Sequence, residues 1–200
     1  MEATKILLSE DELNLVLDSQ WLLTKNRIIE KAKGMFGVLA AKLQEGVQHS
    51  ALPRSVHLFS AKVFKGEYYE GLPYVMLDYP RVFSKDDVLA MRTMFWWGNF
   101  FSVTLHLKGM YVQQFGDALH RSKLLLAENE FYIGVGDDEW RHDFGSDNYR
   151  RVSVDETVFE RVLAEHAFVK VAANVSLSRW NEAVALLAEK QELMLQVLMA

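Results

Sequence analysis

The sequence predicts an α+β fold: an antiparallel or mixed sheet of about four to five strands, covered by helices, with a long helix towards each end of the chain. Two observations favour this class. Helical and strand-like patterns interleave along the chain, and the strand-like segments alternate apolar with polar residues. Continuous apolar runs would instead be typical of a parallel sheet that is covered on both faces. A doubly wound parallel sheet is therefore the second choice.

Length and composition are those of an ordinary globular protein. The 200 residues are 50% hydrophobic and 24% charged, and a chain of this size can bury a core without disulfides or metals. We expect a single α+β domain over residues 1–200. Within it, residues 1–50 are expected to form a helical segment that packs on the core.

Composition also excludes several classes of protein and partner. The net charge is −5 and the basic residues are dispersed, which argues against a nucleic-acid partner. The absence of cysteine excludes disulfides, thiolate metal sites and cysteine nucleophiles. The N-terminal residues do not resemble a secretory signal, and the longest run without charged side chains, residues 93–107, is too short to span a bilayer as a helix. We therefore expect a soluble cytoplasmic protein with no membrane partner.

The N-terminal quarter of the chain predicts helix. Ser9 and Glu12 have the spacing of a capping box, in which each side chain binds the other residue's backbone amide. Apolar residues then recur at three- and four-residue steps over residues 29–47, as in an amphipathic helix. The pattern leaves open whether Asp18 and Ser19 divide the segment into two helices.

A strand, a corner and a short helix are predicted next. The strand covers Tyr68 to Leu77, and Pro73 makes it an edge strand or delays its start to the following residue. Residues 78–81, Asp-Tyr-Pro-Arg, form the corner, where a cis Tyr-Pro bond is possible although it is not the default. Ser84 is then expected to cap a short helix over residues 85–92, because two acids follow it in the first turn.

Residues 94–107 predict a strand that Gly98 interrupts as a bulge or a close backbone approach. Beyond that glycine, apolar residues alternate with a more polar set that contains Ser102, Thr104 and His106. If the polar face lines a cavity, His106 could act as a general base or as a ligand donor. A histidine that is hydrogen-bonded within the sheet is the simpler interpretation.

The C-terminal half continues the alternation of helices and strands. The predicted elements are a helix from Tyr111 to about Ala127, a strand from Asn129 to Val135, a polar loop or irregular hairpin over residues 136–150, a helix from Asp155 to about Ala164, a strand from His166 to Leu177, and a helix capped by Ser178 that ends near Leu198. The apolar arc of the last helix is wider than one contact requires. This width predicts a homo-oligomer that forms through the C-terminal helix.

The polar loop holds the densest group of ionisable residues. Asp137, Asp138 and His142 could bind a hard cation, but their spacing matches no calcium-binding loop. A solvated turn, balanced by nearby arginines, explains the same residues. The glycines that precede them lack the third glycine of a nucleotide-binding loop. We therefore predict no metal site and no cofactor.

Six residues are the candidates for ligand binding, and no catalytic residue is assigned. They lie at the proline corner and in the aromatic segment that follows it: Asp78, Arg81, Trp96, Trp97, Asn99 and His106. Asp78 and Arg81 could fix the corner or present a guanidinium to an anion. The aromatic side chains are expected to fill the core first, with the remainder facing a ligand or a partner.

The favoured function is a non-catalytic protein that binds a small ligand or a protein partner. This interpretation rests on the surplus of aromatic residues, the broad apolar C-terminal helix and the lack of a catalytic motif. The alternative is a small intracellular enzyme with a polar cleft lined by Asp78, Arg81, Asn99 and His106.

Overall fold

The computed structural model describes residues 6–200. Residues 1–5, which begin the segment judged unlike a secretory signal, lie outside the described part. The described α-helices are α1 (Glu10–Leu17), α2 (Ser19–Gln48), α3 (Met110–Arg121), α4 (Lys123–Glu128), α5 (Val158–Glu165) and α6 (Ala183–Met199). The strands are β1 (Lys62–Tyr69), β2 (Leu72–Phe83), β3 (Val88–Trp96), β4 (Phe100–Lys108), β5 (Tyr132–Gly134), β6 (Tyr149–Arg151) and β7 (Phe168–Ser176). Short 3-10 helices occupy Arg54–Leu58 and Leu177–Glu182.

The seven strands form one sheet in the order β1-β2-β3-β4-β7-β5-β6, and every neighbouring pair is antiparallel. The predicted α+β class and the antiparallel sheet are confirmed. The predicted number of four to five strands was wrong. One strand, β3, had been assigned in part to a helix, and another, β6, is a three-residue segment that begins inside the predicted loop.

The predicted helix over residues 85–92 is not formed. Instead, Ser84 and Asp87 close a tight turn: the Ser84 amide donates to the Asp87 carbonyl, and the Asp87 amide donates to the Ser84 hydroxyl, both at 2.9 Å. Strand β3 then begins at Val88. A serine that is followed by acids satisfies backbone amides in a turn as well as at a helix start, so the same residues fit both structures.

Gly98 is a turn residue between two strands and does not interrupt a single strand. It has a φ of 74°, and the amide of Asn99 donates to the carbonyl of Trp96. The left-handed backbone conformation at this position favours glycine. The turn lets β3 and β4 pair over their whole lengths, with Trp96 opposite Phe100 and Val88 opposite Lys108.

The N-terminal helices form as their caps and apolar pattern predict. Ser9 and Glu12 make the reciprocal capping box, and Asp18 both ends α1 and accepts a hydrogen bond from the Trp21 amide at the start of α2. Two helices are therefore present. The buried residues of α2 lie on one stripe: Ile29, Ala32, Phe36, Leu39, Ala40, Leu43 and Val47.

The main core lies between one face of the sheet and the helices, and α2 and α6 contact each other across it. The amide nitrogen of Gln191 on α6 donates to the hydroxyl of Thr93 on β3 at 2.8 Å, and both side chains are buried. Apolar residues of α6 on several sides are buried within the chain, against α2, α3 and the sheet. The width of the apolar arc, which predicted an oligomer, thus has an intramolecular explanation. No helix within residues 6–200 combines the length and apolar character needed to cross a bilayer.

The opposite face of the sheet is covered in a different way. Near the β3–β4 turn, Met76, Met94 and Trp96 form a small second apolar cluster. Further along the strands, residues 135–148, which connect β5 to β6, lie over the sheet. We call this segment the covering loop.

Candidate functional site

Polar side chains from four strands meet beneath the covering loop. Strand register places Asp78 of β2 opposite Arg92 of β3, Arg92 opposite Thr104 of β4, and His106 of β4 opposite Lys170 of β7. Side chains at these paired positions point to the same face of the sheet. All except Arg92 are buried, and Arg92 is nearly so. These five residues, together with Glu139 and His142 of the loop, are the covered cluster.

The covering loop has its own internal support. Arg141 donates to the carboxylates of Asp143 and Asp147, and the Asp143 carboxylate also accepts from the amide of Gly145. The side-chain amide of Asn148 donates to the Asp143 carbonyl at 2.6 Å. In the outer part of this loop, Arg141 therefore neutralises nearby carboxylates, as predicted for the arginines. Its inner part faces the sheet.

Asp78 and Arg92 form a bidentate ion pair. The Nε and Nη2 atoms of Arg92 each lie 2.8 Å from a different carboxylate oxygen of Asp78. This fork geometry is the strongest arrangement for an arginine and a carboxylate. The pair joins β2 to β3 just before an irregularity in their pairing, between Asp78 and Arg81, where the Tyr79-Pro80 bond is cis. The predicted corner over residues 78–81 was wrong, because β2 continues through these residues to Phe83.

His142, a residue of the covering loop, faces this ion pair. Its Nε2 atom is 3.4 Å from Nη1 of Arg92, and its backbone amide donates to the hydroxyl of Tyr69 at 2.7 Å. Burial, reinforced by the charges of Arg92 and Lys170, holds the pKa of His142 well below its usual value. A neutral imidazole can accept a hydrogen bond from the guanidinium, so its protonation state suits its position.

Lys170 ties the loop to β7. Its Nζ donates to the carbonyl oxygens of Arg141 at 2.6 Å and Glu139 at 3.3 Å, and it lies 5.1 Å from the ring centre of Tyr149. The residue is 2% exposed. Burial lowers the pKa of Lys170 to about 8. Among residues 6–200, no carboxylate lies within ion-pair distance of this buried ammonium.

Glu139 points inward from the loop towards β4. One carboxylate oxygen accepts from Lys108 Nζ at 2.9 Å, and the other lies 3.2 Å from Nε2 of His106. The second contact is close but poorly aligned, so neither the imidazole nitrogen nor that oxygen has a hydrogen-bond partner within the described chain. Burial lowers the pKa of His106 to about 4, although the carboxylate of Glu139 opposes the shift. His106 is consequently neutral at pH 7.

A small cavity remains at the centre of the cluster. Its volume is about 10 Å³, and its walls are formed by Phe83, Arg92, Thr104, His106, Glu139, His142 and Lys170. This is room for about one water molecule. The ring of Trp140 lies 5.6 Å from that of His106, beside the cavity. A molecule larger than water does not fit in this space.

Comparisons with protein-family models, with curated proteins and with solved structures each found no match.

The structure separates the four residues proposed for the enzymatic cleft. Asp78 and His106 belong to the covered cluster. Asp78 binds Arg92, and His106 lines the same cavity as Arg92. Arg81 instead donates to the carbonyl of Ser60. The side chain of Asn99 is exposed at the β3–β4 turn, where it donates to the carbonyl of Trp97. A cleft lined by all four residues is therefore not formed.

The two candidate tryptophans also have separate environments. Trp96 is buried in the second apolar cluster, where its ring meets those of Tyr69 and Phe100 edge to face. Trp97 is partly exposed and packs against Phe95 on the helical side of the sheet. Neither side chain lines the cavity of the covered cluster.

The acids considered for a metal do not converge with the histidine. Asp138 accepts a hydrogen bond from the amide of Trp140, Asp137 is exposed, and His142 faces Arg92. Within residues 6–200, no group of three or more His, Asp or Glu side chains has the arrangement of a metal site.

Three residues of the cluster were missed from the sequence: Arg92, Glu139 and Lys170. Thr104 was noted only as part of the polar strand face, and His142 was considered only as a metal ligand. Arg92 fell within the helix that was wrongly predicted. Lys170 stands between Val169 and Val171 in the apolar first part of β7, and a charged residue in such a segment is itself a signal of a buried polar contact. Glu139 and His142 carry no such signal, because they lie in a loop rich in charged residues.

Proposed function

We propose that the protein is a non-catalytic binding protein whose ligand is a small molecule with a carboxylate or phosphate group. The ligand's anionic group would take the position that Glu139 occupies beneath the covering loop. The observation that carries this proposal is the contact of the Glu139 carboxylate with Lys108 at 2.9 Å and His106 at 3.2 Å. The loop thus presents the functional group that an external ligand would present.

The charges of the sheet favour an anion at this position. Lys108 and Lys170 supply ammonium groups, and the second contacts only backbone carbonyls and an aromatic ring. The charge of Arg92 is matched by Asp78. A buried cation without a counter-ion is unfavourable, so an anion that approaches Lys170 gains more than it would in water.

The polar underside of the loop suits a segment that exchanges its contacts. Around the cavity the loop is held to the sheet by hydrogen bonds to Lys170, Lys108, Arg92 and the Tyr69 hydroxyl. Trp140 and Phe144 add aromatic contacts to Phe83 and Phe100. When the loop moves, water or a ligand can satisfy the same groups. The apparent affinity for a ligand then depends on how often Glu139 leaves its position.

The test is titration calorimetry with acetate, succinate and inorganic phosphate on the wild type and on Glu139→Ala. Removing the internal competitor is expected to strengthen binding of at least one of these anions by about tenfold, which corresponds to about 1.4 kcal/mol. Comparing acetate with succinate shows whether the site prefers one carboxylate or two. Phosphate, which is tetrahedral, shows whether the site requires the planar shape of a carboxylate or only a negative charge.

The matched control is Asp137→Ala. It removes the same charge from the same loop, but its carboxylate is exposed and does not lie in the cluster. Binding by Asp137→Ala should remain at the wild-type level. Equal gains in both variants would attribute the effect to general loop charge, and no gain in Glu139→Ala would reject the proposal.

The catalytic alternative has weaker support. Only Asp78 and His106 of its four residues share the cluster, and the carboxylate of Asp78 is already engaged by Arg92. The enclosed space holds about one water molecule, which leaves no substrate beside His106 while the loop is in place.

A further inference from the structure

The N-terminal arm, defined as residues 6–23, leaves an unusual amount of apolar surface exposed. It carries ten large apolar side chains that are 47–80% exposed, and α1 has no buried residue. Scattered single apolar residues are normal on a protein surface, but a contiguous set marks a site of interaction. This surface lies on separate residues from the covered cluster.

The exposed apolar area is close to what a stable dimer needs. Full burial of a large apolar side chain is worth about 1.5–3 kcal/mol at about 25 cal/mol per Å², so it removes on the order of 100 Å² from water. Because the ten side chains are 47–80% exposed, they can still bury on the order of 600 Å² per chain. A stable interface buries about 800 Å² per partner, of which about 65% is apolar when the partners are identical.

Charge along the arm and the adjoining helix identifies the partner. Residues 10–18 contain four acids and no base, whereas residues 25–33 contain four bases and one acid. If two arms pair antiparallel, the acidic segment of each chain lies beside the basic segment of the other. The two segments have nearly equal length, about 12–14 Å as helix. An anionic membrane surface would instead be repelled by residues 10–18.

A groove at the base of the arm can bind apolar side chains of the other chain. It lies between α2 and the β3–β4 turn, with a volume of about 460 Å³, and Trp21, Ile28 and Trp97 supply its apolar walls. Asp18 and Lys25 lie at the same groove. A side chain seated there would cover the exposed part of Trp97, whose other contacts are with Phe95 and the groove walls of its own chain.

We propose that the N-terminal arm binds a second copy of this chain, in an antiparallel pairing that sets residues 10–18 of one copy against residues 25–33 of the other. Leu13 and Leu17 of each arm enter the groove beside Trp97 of its partner. Because an eight-residue helix such as α1 is marginal alone in water, the pairing also stabilises the helix itself.

The test is the molar mass of the full chain in solution at low salt, measured by light scattering after size exclusion. The wild type is expected to give twice the 23.0 kDa chain mass. A half-swap variant, Glu10→Lys with Asp11→Lys, places like charges together and should raise the dissociation constant by at least about tenfold. The full swap, which adds Lys31→Glu and Lys33→Glu at the positions opposite residues 10–12, should restore the dimer, because the pairing is again complementary.

Two further variants separate the arm from general surface effects. Leu13→Glu with Leu17→Glu should give a monomer, while Leu58→Glu, which alters another exposed apolar residue outside the arm, should leave the dimer intact. Circular dichroism verifies that each variant is folded. A wild type that is monomeric at micromolar concentration overturns the proposal, as does a full swap that fails to restore the mass. Arm-dependent sedimentation of a monomer with phosphatidylcholine vesicles would assign the surface to lipid instead.

Discussion

The Nζ of Lys170 donates a hydrogen bond of 2.6 Å to the carbonyl oxygen of Arg141. This contact joins β7, in the interior of the sheet, to the covering loop. The same ammonium also reaches the carbonyl of Glu139. One buried side chain thus satisfies two backbone acceptors of a segment that has no regular secondary structure, and the position of the loop depends on it.

Replacing Lys170 with Met is expected to loosen the loop without unfolding the protein. Methionine keeps much of the apolar stem and removes the buried charge, but it leaves the carbonyls of Glu139 and Arg141 to water. Amide hydrogens of residues 135–148 should exchange at least about tenfold faster, since a loss of about 1.4 kcal/mol in local opening gives that factor. Hydrogen exchange followed by mass spectrometry measures the change.

The control for this variant is Lys190→Met. Lys190 also donates to a backbone carbonyl, that of Asn129, and lies over the ring of Phe131. It belongs to α6, which packs on the opposite face of the sheet from the covering loop. Faster exchange in residues 135–148 should be absent from this variant. If both variants leave the loop equally protected, Lys170 does not hold it.

The Asp78–Arg92 pair is expected to show strong coupling. Arg92→Ala leaves a buried carboxylate without its partner, which costs about 3–5 kcal/mol of unfolding free energy. The double variant Asp78→Asn with Arg92→Ala removes both charges, so it should lose less stability than the sum of the single variants Asp78→Asn and Arg92→Ala. Urea unfolding of the four proteins gives the coupling free energy.

Arg179→Ala is the comparison for an exposed pair. Arg179 binds Glu182 on the surface, with both side chains at least half exposed. Its loss should therefore cost much less unfolding free energy than the loss of Arg92, because solvent screens an exposed pair. Equal costs for Arg92→Ala and Arg179→Ala would mean that burial adds nothing to the first pair.

Local patterns predicted the parts of the fold that local interactions determine. The capping box at Ser9, the apolar stripe over residues 29–47 and the alternation in β4 each require only neighbouring residues. The error at β3 has the opposite origin. Ser84 and the acids after it satisfy a turn or a helix cap equally, and pairing with β2 and β4, distant along the chain, selects the strand.

The site was predictable only in part for a related reason. Asp78 and His106 were recognisable because each is a polar residue in or beside an apolar strand. Their partners are set by register: Arg92 meets Asp78 through the pairing of β2 with β3, and Lys170 meets His106 through the pairing of β4 with β7. The inward side of the covering loop depends on β5 and β6, which are only three residues long. Such short strands give too little periodicity to detect.

Stability is expected to fall as the pH drops below about 6.5, because His106 is buried in its neutral form. Its pKa is about 4 in the folded protein, against 6.5 when unfolded. Between these values the unfolded chain binds a proton that the folded chain does not, so stability is fully present above pH 6.5 and is lost as the pH falls towards 4. His106 alone accounts for about 3 kcal/mol of this loss. The lowered pKa of His142 acts in the same direction.

Urea unfolding at several pH values between 4 and 7 measures this dependence. The variant His106→Gln should lose less stability over the range than the wild type, because one of the groups that protonates on unfolding is gone. His57→Gln changes an exposed histidine and should leave the wild-type slope unaltered. Carboxylates titrate in all three proteins, so the difference between slopes, and not any single slope, reports on His106. Parallel curves for His106→Gln and the wild type would mean that His106 binds its proton in the folded protein, with Glu139 as the partner that compensates for burial.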